Sequence, residues 1–287
     1  MSCKRLATAR HKREMFVPPT ILIATDLTAR SDRAFDRAVE LATDLGGTLL
    51  VAHALDKGDA AHVARASDRA KRVIAKLTEG IAAPIEPVLI QGRAPETIAE
   101  LGKERGSAVI VVGPARHNHV SDFILGTAVD YLVRRSPVPV LVVKERPRHP
   151  YRRILIATDF SDCSLHAVQM TAMLFPKARL DLVHVYDGGF PSRLDPDQTL
   201  AFARSEAERE SAEFAARPEL AGQARPFQVE LIEGRAGEVL PTLIAQRDID
   251  LLVLGAHGRS GFVHALIGSR ASELLEGAPC DVLMVRD

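Results

Sequence analysis

The amino-acid sequence contains two tandem copies of one pattern. The hexapeptide Ile-Leu-Ile-Ala-Thr-Asp occupies residues 21–26 and returns unchanged at 154–159. Gly-Arg-Ala at 92–94 returns at 234–236, and the apolar segment 138–143 returns in altered form at 280–285. Because the matches keep one order along the chain, they indicate a tandem duplication, and both halves must share a fold.

Each copy alternates short apolar runs with longer amphipathic stretches. Val, Ile and Leu dominate the short runs without strict alternation, which is typical of buried parallel strands. In the first copy these runs are 20–25, 48–54, 86–90, 108–112 and 138–143. Helices are predicted at 31–44, 65–79, 95–105 and 120–135, and in the second copy near 196–216 and 270–276, with Ser31 as a helix N-cap. The predicted fold class is α/β, with two doubly wound five-stranded parallel-sheet domains.

The domain boundaries follow from composition. Residues 1–17 are predicted to be a disordered basic tail, with a targeting segment or an over-long start before Met15 as alternatives. Domain 1 is placed at 18–144 and domain 2 at 152–287. The charged, proline-containing stretch 145–151 between them is predicted to be a linker.

Charge and residue usage exclude several classes of protein. Lys+Arg and Asp+Glu both number 37, and there is no Trp, so a nucleic-acid partner is not expected. No apolar run reaches the roughly 20 residues that span a bilayer, so a membrane partner is not expected either. The three cysteines are far apart and fit neither a disulfide framework nor a metal site. We therefore expect a cytoplasmic protein.

Candidate site residues follow the strand ends. Ligands of open parallel sheets bind beyond the carboxyl ends of the strands, where the strand order reverses. Asp26 and Asp159 close the first strand of each copy, and loops that begin at Gly113 and Gly255 follow the fourth. The sequence therefore predicts a ligand site at this edge of each sheet.

The loop after Gly255 has the composition of an anion site. Gly255, Gly258 and Gly261 allow close backbone approach, and successive amides in such turns form a nest for anions. The pair Gly268-Ser269 then precedes a helix, whose N-terminus also favours negative charge. His257 and Arg259 could add polar contacts. The alternative is that these glycines only shape a turn.

These residues resemble the ATP-binding class of the universal stress protein family. The resemblance rests on the spacing Gly-x2-Gly-x9-Gly-Ser at 255–269, together with Asp159 and a His-Val pair at 184–185. It implies a Rossmann-like sheet of the adenine nucleotide alpha hydrolase-like type, in the order 3-2-1-4-5. It also implies that Asp159 and the backbone of Val185 hold adenosine, and that 255–261 with Gly268 and Ser269 cradle the phosphates of ATP, bridged by Mg²⁺ or Mn²⁺. Ala157 and Arg270 complete the implied nucleotide site.

The first copy departs from this pattern. Its matching positions are Asp26, Gly113, Gly126 and Thr127. Arg116 stands in place of the second glycine, Ala54 in place of the valine, and Pro114 removes an amide from the nest. We expect a weakened or lost site in domain 1, although the Arg116 guanidinium could instead bind a phosphate.

Two functions from different classes remain open. The first is an ATP-binding regulatory module of stress response, with its site in domain 2. The second is a nucleotide-independent interaction scaffold or small-molecule carrier of the same fold. An enzyme is not favoured, since His257 and His264 are the only candidate bases and any ATP hydrolysis would be slow. The apolar last strands, which would otherwise be exposed edges, are expected to pair within the chain as a pseudo-dimer, and homodimerisation stays possible.

Overall fold

The computed structural model describes residues 18–55, 57–114, 116–117, 123–124, 127–188, 196–220, 228–256 and 269–286. The predicted basic tail, 1–17, lies outside these residues.

The N-terminal domain alternates strands and helices. Its main strands are β1 (Thr20–Ala24), β2 (Thr48–Leu55), β3 (Ile85–Gln91) and β4 (Ser107–Val112), followed by the short pair β5 (Arg116–His117) and β6 (Phe123–Ile124) and by β7 (Val140–Val142). Its helices are α1 (Asp32–Asp44), α2 (Ala60–Leu77), α3 (Ala94–Glu104) and α4 (Thr127–Arg135).

The C-terminal domain repeats this order. Its strands are β8 (Arg153–Ala157), β9 (Arg179–Tyr186), β10 (Val229–Glu233), β11 (Leu251–Gly255) and β12 (Asp281–Val285). Its helices are α5 (Asp162–Leu174), α6 (Pro196–Ala215), α7 (Ala236–Gln246) and α8 (Ser269–Gly277).

The main strands form one ten-stranded sheet in the order β10-β9-β8-β11-β12-β7-β4-β1-β2-β3. Within each half the strands are parallel and follow the predicted order 3-2-1-4-5, so the predicted fold class is confirmed. The two halves join where β12 pairs antiparallel with β7, with Leu283 opposite Leu141. The expected pairing of the last strands within the chain is therefore present, and each covers the other's edge.

Two apolar cores lie on opposite faces of the sheet. Ile21 and Ile23 of β1 share one core with residues of α1 and α2, whereas Leu22 shares the other with residues of α3 and α4. This alternation follows from the two-residue period of a strand. Both faces of the sheet are thereby covered, which explains strands that are apolar at every position.

The structure confirms the N-cap of one helix and corrects the start of two others. Ser31 is the N-cap residue of α1, as predicted, but its side chain makes no capping bond, because its hydroxyl contacts Asp26 instead. The helix predicted from residue 65 begins at Ala60. The last helix of the first copy was predicted from residue 120, whereas α4 begins at Thr127. Part of that interval is β6, which pairs with β5.

A buried polar cluster ties the two domains together. Asp281 is 1% exposed, and its Oδ1 accepts from the backbone amides of Lys144 (2.7 Å) and Glu145 (2.8 Å). The Tyr151 hydroxyl donates to the other carboxylate oxygen, and the Arg37 guanidinium lies 3.9 Å from the centre of the Tyr151 ring. We call these five residues the Asp281 clasp. It anchors both ends of the stretch that was predicted to be a linker.

Candidate functional site

The turn after β1 positions the first candidate residue, Asp26. Thr25 Oγ1 accepts from the amide of Leu27 (2.9 Å), and Leu27 adopts a positive φ of 59°. This left-handed residue is costly for a branched side chain, and it turns the chain sharply away from the sheet. Asp26 is thereby held at the carboxyl edge of the sheet.

The Asp26 carboxylate is fixed by neighbouring hydroxyls. Its Oδ1 accepts from Ser31 Oγ (2.7 Å), Thr28 Oγ1 (2.8 Å) and the Thr28 amide (2.9 Å). Partial burial alone would raise the pKa of Asp26, but the donors of Ser31 and Thr28 outweigh it and hold the pKa below its ordinary value. The group is therefore an anion at neutral pH, with a fixed orientation.

Domain 2 repeats this arrangement. The amide of Phe160, which also has a positive φ (64°), donates to Thr158 Oγ1 (3.0 Å). Asp159 Oδ1 accepts from Ser164 Oγ (2.7 Å) and from the Ser161 amide (3.1 Å). Both copies thus present an oriented carboxylate in the same place.

A histidine bridges the first two strands of each domain. The Nδ1 atom of His53 lies 2.9 Å from the Thr25 carbonyl, and that of His184 lies 2.7 Å from the Thr158 carbonyl. In these contacts the ring nitrogen donates, which fixes the tautomer. In domain 2 the Phe160 ring also packs on His184, with centroids 4.4 Å apart. Both histidines therefore brace the turn that carries the aspartate.

The glycines at the carboxyl ends of β4 and β11 allow close packing. A Cβ at Gly113 would lie 3.1 Å from the Arg30 carbonyl oxygen, and one at Gly255 would lie 3.2 Å from Cys163 Sγ. Both positions press against the start of the helix that follows the first strand. Packing alone thus favours glycine there, whatever the loop binds.

A crevice of about 400 Å³ opens beside the carboxyl ends of β1 and β4 in domain 1. Asp26, Ala54 and Gly113 line it, as predicted for one site, together with Pro114 and Arg30. Thr127 begins α4, whose next two residues also line the crevice. The backbone of Arg116 lies in β5, and Gly126 is outside the described residues.

In domain 2 the described part of the site lies along one edge. β8 pairs with both β9 and β11, which brings Ala157, Asp159, Val185 and Gly255 to the same carboxyl edge. Ser269 and Arg270 form the first turn of α8 and are described by their backbone. The remaining predicted residues, His257, Gly258, Arg259, Gly261 and Gly268, lie outside the described residues.

Sequence reasoning missed the serines that orient the aspartates. Ser31 and Ser164 each lie five residues after their aspartate. The repeat shows this shared spacing, so a comparison of the copies would have identified the pair.

Several observations bear on other site classes within the described residues. They contain no group of three or more His, Cys, Asp and Glu side chains that could hold a metal ion. No helix among them is long and apolar enough to cross a membrane. Cys163 and Cys280 are both buried, so neither is placed to react from the surface.

Comparison with known sequences gives a family match in each half. The sequence model described as "Universal stress protein family" matches residues 19–144 and 150–286. Universal stress protein A homolog 1 of Coxiella burnetii is 32% identical over 146 residues, which is 47% of this chain and 96% of that protein. A universal stress protein of Synechocystis is 29% identical over 162 residues, 56% of this chain and 52% of that protein, so the match spans about half of that relative.

Comparison with solved structures supports the same architecture. A universal stress protein from Archaeoglobus fulgidus matches 94% of this chain and 99% of its own, with a TM-score of 0.68 and 18% identity. A protein of unknown function from Pseudomonas aeruginosa matches 93% of this chain and 92% of its own, with a TM-score of 0.65 and 22% identity. At such low identity these structures establish the tandem fold alone.

Proposed function

The chain belongs to the universal stress protein family, with two family domains in tandem, and from that premise we propose that it is an ATP-binding regulatory module. The nucleotide site is assigned to domain 2. One observation carries this proposal: β8 lies between β9 and β11, so Asp159, Val185 and the start of the glycine loop share one edge. This is the switch point where parallel sheets bind ligands. We expect the protein to act in the cytoplasm.

Different residues of this site would bind the ribose, the adenine and the phosphates. Asp159, oriented by Ser164, accepts hydrogen bonds from the ribose, and the backbone beside Val185 contacts the adenine. The loop 255–261 with Gly268 and Ser269 surrounds the phosphates, where amides and the start of α8 favour negative charge. Mg²⁺ or Mn²⁺ would neutralise part of the phosphate charge. The crevice of about 400 Å³ in domain 1 supports this assignment, because it shows room for a small ligand at the equivalent place.

Domain 1 is proposed as the weaker site. Pro114 lines its crevice and has no amide to offer a phosphate. Arg116 lies in a strand rather than in a glycine turn, so the nest of domain 2 is not repeated there. ATP is therefore expected to bind at the glycine loop of domain 2 and not at the crevice of domain 1.

A nucleotide-independent scaffold or carrier is the competing function. The close approach of Cys163 to Gly255 favours it, because packing alone accounts for that glycine. The two functions differ in whether ATP stabilises the folded chain.

A thermal-shift experiment on the full chain with ATP and Mg²⁺ tests the proposal. A ligand that binds only the folded state adds about 2.7 kcal/mol at a hundredfold excess over Kd. Gly268→Val should remove most of the shift and Ser269→Ala should reduce it, whereas the matched variants Gly126→Val and Thr127→Ala in domain 1 should keep most of it. No shift in the parent protein, and no nucleotide in mass spectra of the purified protein, would favour the scaffold.

A further inference from the structure

A second cavity lies in domain 1, on the other face of the sheet from the crevice. It measures about 490 Å³ and lies between the carboxyl end of β2 and α2. The crevice is lined by residues of α3 and α4, whereas α2 packs in the opposite core. The two cavities share Asp26, His53 and Ala54 as a common wall but open on different sides.

The rim of this cavity is cationic. His62, Arg65 and Arg69 recur at spacings of three and four on α2, which places them on one helix face, and all three are exposed. Within the described part of the chain, neither arginine makes a hydrogen bond or an ion pair. The floor is apolar, with Ala70 and Leu55 nearly fully buried.

Neighbouring groups leave these arginines available. The Asp26 carboxylate also lines the cavity, but its Oδ1 is already bonded to Thr28 and Ser31. Asp59 caps α2 by accepting from the His62 amide (2.7 Å), so side chains rather than the helix end would supply the site. Among the described residues, the lining therefore carries two guanidinium groups and one carboxylate.

The equivalent helix of domain 2 shows that this face is not required by the fold. In α6 the two arginines are neutralised along the helix: Arg204 pairs with Glu208 (3.0 Å) and Arg209 with Glu213 (2.7 Å). α2 has five basic residues and one acidic, whereas α6 has two basic and five acidic. Among the described residues, α2 thus carries unpaired arginines where the two arginines of α6 are paired.

We propose that this cavity, between β2 and the Arg65–Arg69 face of α2, binds a small molecule that carries a diphosphate group. Two guanidinium forks on successive turns match the oxygens of adjacent phosphates, and charge-assisted bonds of this kind are the strong ones. The apolar floor receives the remainder of the molecule. This site is separate from the glycine loop of domain 2.

Calorimetric titration of the full chain with inorganic pyrophosphate, in low-salt buffer without divalent metal, tests the proposal. The double variant Arg65→Gln/Arg69→Gln should bind at least about tenfold more weakly, since it removes both forks. The matched control is Lys71→Gln/Arg72→Gln, which removes two charges from the same helix outside the cavity. It should change affinity less than about threefold, because exposed charges act weakly at a distance.

Three results would overturn the proposal: no pyrophosphate binding by the parent at millimolar concentration, equal weakening in both double variants, or binding of a glutamate-rich peptide without binding of pyrophosphate. The last would make α2 a docking surface for an acidic protein. Repeating the titration in Gly268→Val separates this site from the proposed nucleotide site, since binding at α2 should survive that change.

Discussion

The two domains share a strand order but differ in how they use charge. In domain 2 the acidic helix α6 satisfies its own arginines along its surface. In domain 1 the corresponding α2 leaves Arg65 and Arg69 facing a cavity. The aspartate turns, by contrast, are nearly identical in both. The two copies therefore share the turn that orients a carboxylate at the edge of the sheet, but they differ in the helix surfaces around it.

The interface between the two domains also has different side chains at equivalent positions. Asp281 opens β12, and Pro139 occupies the equivalent place before β7. Arg37 on α1 reaches this carboxylate across the join, with Nε 3.9 Å from Oδ2, whereas Met170 is its counterpart on α5. A symmetric pair of strands is therefore held by an asymmetric set of side chains.

Removing the clasp carboxylate should have the largest effect. Asp281→Ala leaves the amides of Lys144 and Glu145 and the buried Tyr151 hydroxyl without their acceptor, and it removes the carboxylate charge beside the buried Arg37. Breaking a buried charge cluster in this way costs about 3 to 5 kcal/mol. Urea unfolding followed by far-UV circular dichroism measures it, because the chain has no Trp. Glu208→Ala, which breaks an exposed pair on α6, should cost less than about 1 kcal/mol. Similar losses in the two variants would mean that the clasp contributes no more than a surface pair.

Substitutions of Gly113, which follows β4, and of Gly255, which ends β11, should give the next largest difference in stability. At Gly113 an added Cβ meets a backbone carbonyl, which cannot rotate away, so Gly113→Ala should cost about 1 to 3 kcal/mol. At Gly255 it meets the end of the Cys163 side chain. Gly255→Ala should therefore cost less, about 1 kcal/mol, and adding Cys163→Ala should recover part of that loss. Strictly additive losses in the double variant, by the same urea assay, would show that Cys163 is not the obstacle.

The sequence predicted the features of the fold that follow from its internal repeat and from the periodicity of its apolar residues. The repeat and the apolar runs predicted two parallel sheets, and the resemblance to the family supplied the strand order that the structure confirms. The exposed edge of an apolar last strand predicted the pairing of β7 with β12. These features follow from local pattern and from the need to cover a sheet edge.

Contacts between distant residues were not predictable in this way. Asp281 looked like the polar start of an apolar strand, and its partners at 144 and 145 lie more than a hundred residues earlier. The start of α2 was placed at residue 65 instead of Ala60, although Asp59 is a strong N-cap residue that could have marked it. The position of Ser31 at the N-cap of α1 was predicted, but its bonds to Asp26 were not: its hydroxyl donates to Asp26 Oδ1 and accepts from the Asp26 amide instead of from an amide of α1.

The smallest expected difference between the domains is in how stability depends on pH. Lys144 of domain 1 should contribute to this dependence, whereas its counterpart in domain 2 should not. Burial lowers the pKa of Lys144 to about 8, although Cys280 and Asp281 act in the opposite direction. An unfolded lysine has a pKa of about 10.4, so between pH 8 and 10 the unfolded state binds more protons at this residue, and Lys144 should make the free energy of unfolding rise with pH. The limit for one such group is about 1.4 kcal/mol per pH unit. Arg286, the counterpart of Lys144, stays protonated throughout this range and adds no such slope.

Cys280 conceals this slope in the parent protein. Burial raises the pKa of the Cys280 thiol to about 12, whereas an unfolded cysteine has a pKa of about 8.5. This group therefore lowers the free energy of unfolding as pH rises. Cys280→Ala removes this group, and the free energy of unfolding of the variant should rise by about 1 kcal/mol from pH 8 to 9, below the range where Tyr151 titrates in the unfolded chain. Adding Lys144→Met should flatten the curve again, as urea unfolding at pH 8, 9 and 10 would show. A flat curve in Cys280→Ala alone would mean that the three carbonyls around the Lys144 ammonium keep it charged when folded, and the asymmetry of the join would then be one of geometry and not of protonation.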